Sequence, residues 1–126
     1  MDAEELLERY NAGERDFSGI DLSFTNLSAS NLTGINLANA NLQECNLTKV
    51  NFQKANLRGA VLLGSGLLDA NLTETDLRDT ILENTNFQEA NLRGAIIDNA
   101  MQDAVLENTI MPDGSIVTYY PWEMPQ

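Results

Sequence analysis

A large apolar residue recurs at every fifth position through most of this 126-residue chain. The series begins at Phe17 and continues to Ile97 without a gap, and Leu occupies most of these positions, which we call centres. Two positions before a centre there is usually a small or aliphatic residue, such as Ala40 or Val50. The residue directly before a centre is usually Asn or Asp, and the two residues after it are mostly polar.

The spacing of five argues against an amphipathic helix, because a helix places residues three and four apart on one face. In an extended segment, residues two apart share a face, so the small residue and the centre both point inward. The following interval is three residues, and a turn in each unit must therefore return the chain to the inward direction. A chain that bends the same way once per unit winds into a solenoid with an apolar interior.

Several units resemble the A(D/N)LXX pattern of the pentapeptide-repeat family, and three that match it closely begin at Ala40, Ala55 and Ala90. The resemblance implies an all-β solenoid, namely a right-handed quadrilateral β-helix with four units in each coil. With about two further units near the C-terminus, we expect nearly five coils. The acidic N-terminal segment and the Met-Pro-Asp-Gly-Ser sequence near the end also resemble short cyanobacterial members of the family.

We expect three segments in a single domain. Residues 1–14 are predicted to form a short capping α-helix, residues 15–111 the β-helix, and residues 112–126 a turn followed by an aromatic capping tail. The tail is predicted from the turn sequence that begins at Pro112 and from the extended, apolar segment that ends near Trp122. Both ends of a solenoid need covering, because they expose core residues and unpaired backbone groups.

The predicted helix has clear terminal signals. Asp2 is the expected N-cap, and Glu5 completes a capping box. Leu6, Leu7 and Tyr10 form one apolar side that is suited to covering the first coil. A helix that binds a partner is the alternative, but a short isolated helix needs packing to be stable, which favours the cap.

The repeat loses its register after Ile97. Continuing in fives would bring polar residues into the core, whereas removing one residue gives the centres Met101, Leu106 and Met111. A deletion placed later would instead turn Gln102 inward. We prefer Met101, because an unpaired buried amide is costly.

Composition excludes several classes of function. The chain has no histidine and one cysteine, Cys45, at an inward position. We therefore predict no catalytic residues, no metal site and no cofactor, so that the protein is not an enzyme. The net charge of −12 disfavours direct binding to nucleic acid and to anionic membranes. The cytoplasm is the expected location, because the N-terminus lacks the features of a secretory signal.

One group of outward positions breaks the polar pattern. Val61 and Ile81 replace the usual Asn or Asp, and Leu63 and Leu68 are apolar at variable positions. With four units in each coil, Val61 lies beneath Ile81, and the four residues form a candidate interaction patch. Three explanations compete, in order of preference: the C-terminal tail covers the patch, the patch mediates self-association, or it binds another protein.

The sequence therefore favours a non-catalytic structural or protein-interaction module, acting as a monomer or a weak homodimer with an unidentified protein partner. The alternative is a DNA mimic that binds gyrase, as in fluoroquinolone-resistance members of the family. Charge argues against this alternative, because residues 22–68 hold three bases and one acid and interrupt any continuous acidic strip.

Overall fold

The computed structural model describes residues 1–98, 101 and 103–119. Residues 20 apart form parallel backbone bridges along the chain, for example Asn36 with Asn56 and Asn56 with Asp76. At the first of these bridges, Leu37 N donates to Asn56 O at 2.8 Å and Asn56 N donates to Ile35 O at 2.9 Å. Bridged residues are four units apart, so four units make one coil and the predicted solenoid is confirmed.

The four sides of the coil are defined by their inward centres, which are buried. Side 1 has the centres Phe17, Leu37, Leu57 and Leu77. Side 2 has Leu22, Leu42, Leu62 and Leu82, and side 3 has Leu27, Leu47, Leu67 and Phe87. Side 4 has Leu32, Phe52, Leu72 and Leu92. From Ile35 to Ala95 the small residue of every unit is buried as well, so the interior is filled with side chains.

A left-handed turn residue separates neighbouring sides. From Gly19 to Gly94, the second residue after every centre has a positive φ of 56° to 75°. Within most units a hydrogen bond closes the turn, as where Ala40 N donates to Leu37 O at 3.0 Å. Such a turn changes the chain direction within the three-residue interval, as the inward pattern requires. We call these left-handed positions the corners of the coil.

Where Asn or Asp precedes a centre, its side chain stabilises the turn that follows. Asn41 Oδ1 accepts a hydrogen bond from Gln43 N at 3.0 Å, and Asn56 Oδ1 accepts one from Arg58 N at 3.0 Å. The side chain thereby holds its own backbone two residues further on, in the manner of an Asx turn. The abundance of Asn thus has a local structural cause that the repeat spacing alone does not explain.

Helix α1 comprises Ala3–Asn11. Asp2 is its N-cap, and the Asp2 carboxylate accepts from Glu5 N at 2.8 Å. After the helix, Gly13 has φ +104° and its N–H donates to Tyr10 O at 3.0 Å, as in a Schellman motif. The expected helix start at Asp2 is therefore present, and Gly13 ends the helix.

The apolar side of α1 faces the first coil. Leu6 is fully buried, and Tyr10 is buried with its hydroxyl donating to Thr33 O at 2.6 Å. Leu7 is half-buried and packs against the core. Leu6, Leu7 and Tyr10 therefore pack against the apolar core.

The register change near the C-terminus is visible in the backbone bridges. Asn86 pairs with Val105 and Asn91 with Ile110, an offset of 19 residues instead of 20. One residue has therefore been removed from the repeat, and Met101 is buried, as predicted. The alternative inward residue, Gln102, lies outside the described residues.

A short antiparallel pair follows. Strand β1 comprises Leu106–Ile110 and strand β2 comprises Ile116–Tyr119, and Ile110 is aligned with Ile116. The turn between them begins with Pro112, as the sequence indicates. The end of the predicted tail, residues 120–126 with Trp122, lies outside the described residues.

Cys45 belongs to an internal column of small polar residues. Its thiol donates to Leu22 O at 3.0 Å, and Thr85 Oγ1 donates in the same way to Leu62 O at 2.7 Å. Between them, the Ser65 hydroxyl bonds Leu42 O. Each group binds a carbonyl of the coil below, so the buried thiol joins neighbouring coils.

Candidate interaction surface

The positions directly before the centres, most of which hold Asn, form a vertical column on each side of the coil, and we call these positions the Asn column. On side 2, two apolar residues replace Asn at stacked positions of this column. Asn41 is bridged to Val61, and Val61 to Ile81. Leu62 N donates to Ile81 O at 2.9 Å, which holds these two coils in register. Val61 is half-buried, and Ile81 is 45% exposed. Neither side chain offers the acceptor that Asn41 uses, so these positions forgo the stabilising Asx turn.

Leu63 and Leu68 lie on either side of one corner. Leu63 belongs to side 2 and Leu68 to side 3, both are half-buried, and Gly64 forms the corner between them. The side chain of Glu44, from the coil below, lies over this corner, since a Cβ at Gly64 would collide with the Glu44 carboxylate. The patch therefore contains a carboxylate between two leucines.

Side 2 also differs from the other sides in charge. In the part of the chain that the structure describes, its outward positions include acidic residues and no lysine or arginine. These acidic residues are Asp21, Glu44, Glu83 and Asp103. The other three sides carry at least one base each, as with Arg58, Lys49 and Lys54. The charged side chains described on the side with the apolar stack are thus all acidic, and the Met1 ammonium lies near the lowest of them, 3.4 Å from Asp21 O.

The lowest acid of side 2 is held in its charged form. The Ser23 hydroxyl donates to Asp21 Oδ1 at 2.7 Å, and Ser23 N donates to the same oxygen at 2.9 Å. These two hydrogen bonds lower the pKa of Asp21 below its ordinary value. Asp21 is therefore ionised at neutral pH.

Side 1 shows a different arrangement of charge. Arg78 forms two hydrogen bonds to the Asp76 carboxylate, at 2.9 and 2.7 Å, and Arg58 Nε lies 3.0 Å from Asp79 Oδ2. The guanidinium of Arg78 lowers the pKa of Asp76. Asp76 and Asp79 of side 1 are thus each paired with an arginine.

Sequence reasoning missed one exposed residue of side 2, Phe24. This side chain is 71% exposed and its backbone has φ 62°, at the corner beneath Glu44. A large apolar residue at the second position after a centre is the signal that could have identified it. Phe24 is the only aromatic residue at a left-handed position among the described residues.

The surface offers binding groups and no reactive constellation. Within the described ranges, no three His, Cys, Asp or Glu side chains are grouped so as to hold a metal ion. The four patch residues contribute only aliphatic side chains, and the described side chains of side 2 include no lysine or arginine that could pair with the acids nearby. The arrangement is suited to contact with another molecule.

The one helix that the structure describes, α1, has nine residues, and no helix in that part of the chain is long and apolar enough to span a membrane.

Comparison with known proteins identifies similar repeats and similar structures. Rfr23, a pentapeptide repeat protein from the cyanobacterium Cyanothece 51142, is 37% identical over 71% of this chain and 63% of its own, with a TM-score of 0.38. The pentapeptide repeat protein alr5209 from Nostoc Pcc 7120 is 28% identical over 79% of this chain and 88% of its own, with a TM-score of 0.42. This chain thus spans less than two thirds of Rfr23.

QnrB1, a plasmid-mediated fluoroquinolone resistance protein, is 16% identical over 77% of this chain and 62% of its own, with a TM-score of 0.44. No curated protein matches the sequence significantly. A model of the family described as pentapeptide repeats matches eight copies, over residues 16–53, 25–64 and 67–111. These matches cover well over half of the sequence, and the chain therefore belongs to the pentapeptide-repeat family, with its right-handed β-helical fold.

Proposed function

We propose that this protein is a non-catalytic module that binds another protein through the patch formed by Val61, Leu63, Leu68 and Ile81. The observation that supports the proposal most is the loss of the Asn acceptor at two stacked positions, Val61 and Ile81. A rod that needed only to fold would gain from Asn there, because Asn stabilises the turn at the equivalent position below. An apolar surface that is present although it lacks these stabilising hydrogen bonds is typical of a contact site.

The charges around the patch indicate the chemistry of the partner. Glu44 lies between the two leucines, and Glu83 and Asp69 stand close by, with Lys49 as the one base. A partner with an apolar centre and basic residues around it complements this surface. A second copy of the chain would bring the same acids together, so we expect a monomer.

With this function we expect three segments. Residues 1–14 form a capping helix, with Leu6, Leu7 and Tyr10 as its contact side. Residues 15–111 form nearly five coils, and residues 112–126 form a capping tail. We expect the protein to act in the cytoplasm.

The DNA-mimic alternative has no observation of its own in its favour, and an unchanged gyrase supercoiling rate at high protein excess would dismiss it.

The test exchanges the two leucines for residues that already occupy equivalent positions. Gln43 lies below Leu63 and Gln88 lies above Leu68, so Leu63→Gln with Leu68→Gln preserves the repeat. Affinity capture from the source cell with the original protein and with this variant should differ in one basic-surfaced partner. Thr73→Gln, on side 4, is the matched control and should capture that partner unchanged.

Two results would contradict the proposal. One is the same set of captured proteins with the original protein and with the double variant. The other is coverage of the patch by the chain itself, which truncation after Met111 would reveal as new binding of a hydrophobic dye that the double substitution abolishes. A dimer in sedimentation analysis that the double substitution dissociates would assign the patch to self-association.

A further inference from the structure

Phe24 lies on side 2, which also carries most of the patch, and it is two coils below Gly64, the corner between Leu63 and Leu68. The corner column of side 2 runs upward from Phe24 through Glu44 to Gly64. Phe24 N donates to Gln43 O at 2.9 Å and Glu44 N donates to Leu63 O at 2.9 Å, so the backbone connects these coils directly. An exposed aromatic ring is thus aligned with the proposed contact surface.

The backbone at Phe24 is unusual for its side chain. Positive φ is uncommon outside glycine, and for a bulky residue it is an outlier. The other corners from Gly19 to Gly94 carry glycine, alanine or a polar residue. Within the coil, Gly19 and Ala29 occupy the adjacent corners, so the ring of Phe24 projects beyond them. Strained and exposed residues of this kind occur at binding sites, where the contact compensates for the strain.

We propose that side 2, from Phe24 to Ile81, is the docking face for a cationic amphipathic helix of another protein. The inference rests on the proposed function and specifies its partner. Ile81, Val61 and Leu63 would contact the apolar side of that helix, Phe24 would anchor one end, and the acids of side 2 would meet its basic flanks.

The dimensions are compatible with a short helix. Phe24 and Ile81 lie three coil spacings apart, which is about 14 Å at about 4.8 Å for each spacing. A helix rises about 1.5 Å per residue, so about nine residues cover this length, with apolar side chains at i, i+3 or i+4, and i+7. Side 2 presents acids along the same length, which selects against an acidic helix and against a second copy of this chain.

The test uses a designed peptide as the probe. A fluorescein-labelled 14-residue helical peptide with leucines on one face and lysines beside them is titrated with the protein at physiological salt, and anisotropy is recorded. We expect binding at least tenfold tighter than to a scrambled peptide of equal charge. Phe24→Asn should weaken binding about tenfold, whereas Ala29→Asn, at a neighbouring corner of side 3, should leave it unchanged.

Stability separates a binding role from a structural role. Asn adopts positive φ more readily than Phe, so Phe24→Asn should leave the Tm unchanged or raise it by about 2 °C. A lower Tm would show that Phe24 serves the fold, and unchanged peptide affinity in Phe24→Asn would overturn the inference. Equal affinity for the scrambled peptide would show attraction by charge alone and would also overturn it.

The outcomes distinguish this inference from the proposed function. If Leu63→Gln weakens binding and Phe24→Asn does not, the patch stands and its extension to Phe24 is wrong. If Phe24→Asn alone weakens binding, the docking face lies lower on side 2 than the patch, and the proposed function fails. If neither variant changes binding, both are wrong.

Discussion

At the scale of single residues, two adjacent positions of each unit have separate tasks. The centre fills the interior, as Leu57 does with no exposed surface, while Asn56 beside it accepts from the backbone of its own turn. Apolar recurrence could be predicted from the sequence to the residue. The role of Asn could not, because a spacing pattern does not show which backbone group a side chain reaches.

A reciprocal pair of substitutions tests the Asn column. Asn41→Val removes the acceptor for Gln43 N and should lower the free energy of unfolding by about 1 kcal/mol. Val61→Asn, one coil higher, restores an acceptor and should be neutral or stabilising by up to about 1 kcal/mol. Urea unfolding measures both. If Val61→Asn proves clearly destabilising, the apolar stack contributes to folding and its interpretation as a contact site is weakened.

Acid sensitivity can be traced to Asp76, whose pKa is lowered by the hydrogen bonds from Arg78. A carboxyl with a lowered folded pKa stabilises the protein above its unfolded pKa of about 3.9, and this contribution disappears as the pH falls through the folded pKa. Asp76→Asn should therefore cost about 0.5 kcal/mol at pH 7, a small value because the pair is partly exposed, and this cost should shrink as the pH falls through the folded pKa.

Thermal unfolding of the original protein and of Asp76→Asn across this pH range checks whether the difference in stability shrinks as the pH falls. Asn keeps the acceptor for Arg78 N but loses both the charge and the oxygen that accepts from Arg78 Nη2. A difference in stability that grows as the pH falls would contradict the account. The pairing of Arg58 with Asp79 could not be predicted from the sequence, because these residues lie 21 apart and become neighbours only when the coils stack.

At the scale of elements, the two ends of the rod differ in how well the sequence describes them. The cap of α1 at Asp2 and the strand at Ile116–Tyr119 both follow from local signals, namely a capping residue and a turn sequence. The pairing of β2 with β1 depends on where the last coil places its free edge, and local sequence does not contain that information.

Helix α1 should affect only the coils near it. Leu6→Ala removes a fully buried side chain and should cost about 2 kcal/mol or more, or release the helix from the first coil. Repeats contact their neighbours alone, so amide exchange should rise in α1 and near Phe17 and remain low around Phe87. Glu8→Ala, on the exposed side of α1, is the control. A uniform rise along the chain would contradict this expectation.

At the scale of the whole molecule, charge and shape act together. Residues 1–21 hold seven acids and two bases, and residues 69–126 hold eleven acids and two bases, so both ends are acidic. This uneven charge could be read from the sequence, but the lack of lysine and arginine among the described residues of side 2 becomes visible only when residues 20 apart are stacked. Winding therefore brings residues that are distant in the sequence, such as Phe24 and Ile81, onto one side of the molecule.

The central claim is that residues 20 apart are neighbours, and a disulfide tests it most directly. In a Cys45→Ser background, cysteines at the bridged positions Asn36 and Asn56 should have Cα atoms about 5 Å apart and should oxidise readily under native conditions. Cysteines at Asn36 and Asn51, closer in sequence but on different sides, should remain reduced. The account predicts a crosslink in the first pair only, and a crosslink that forms in the second pair and not in the first would contradict it.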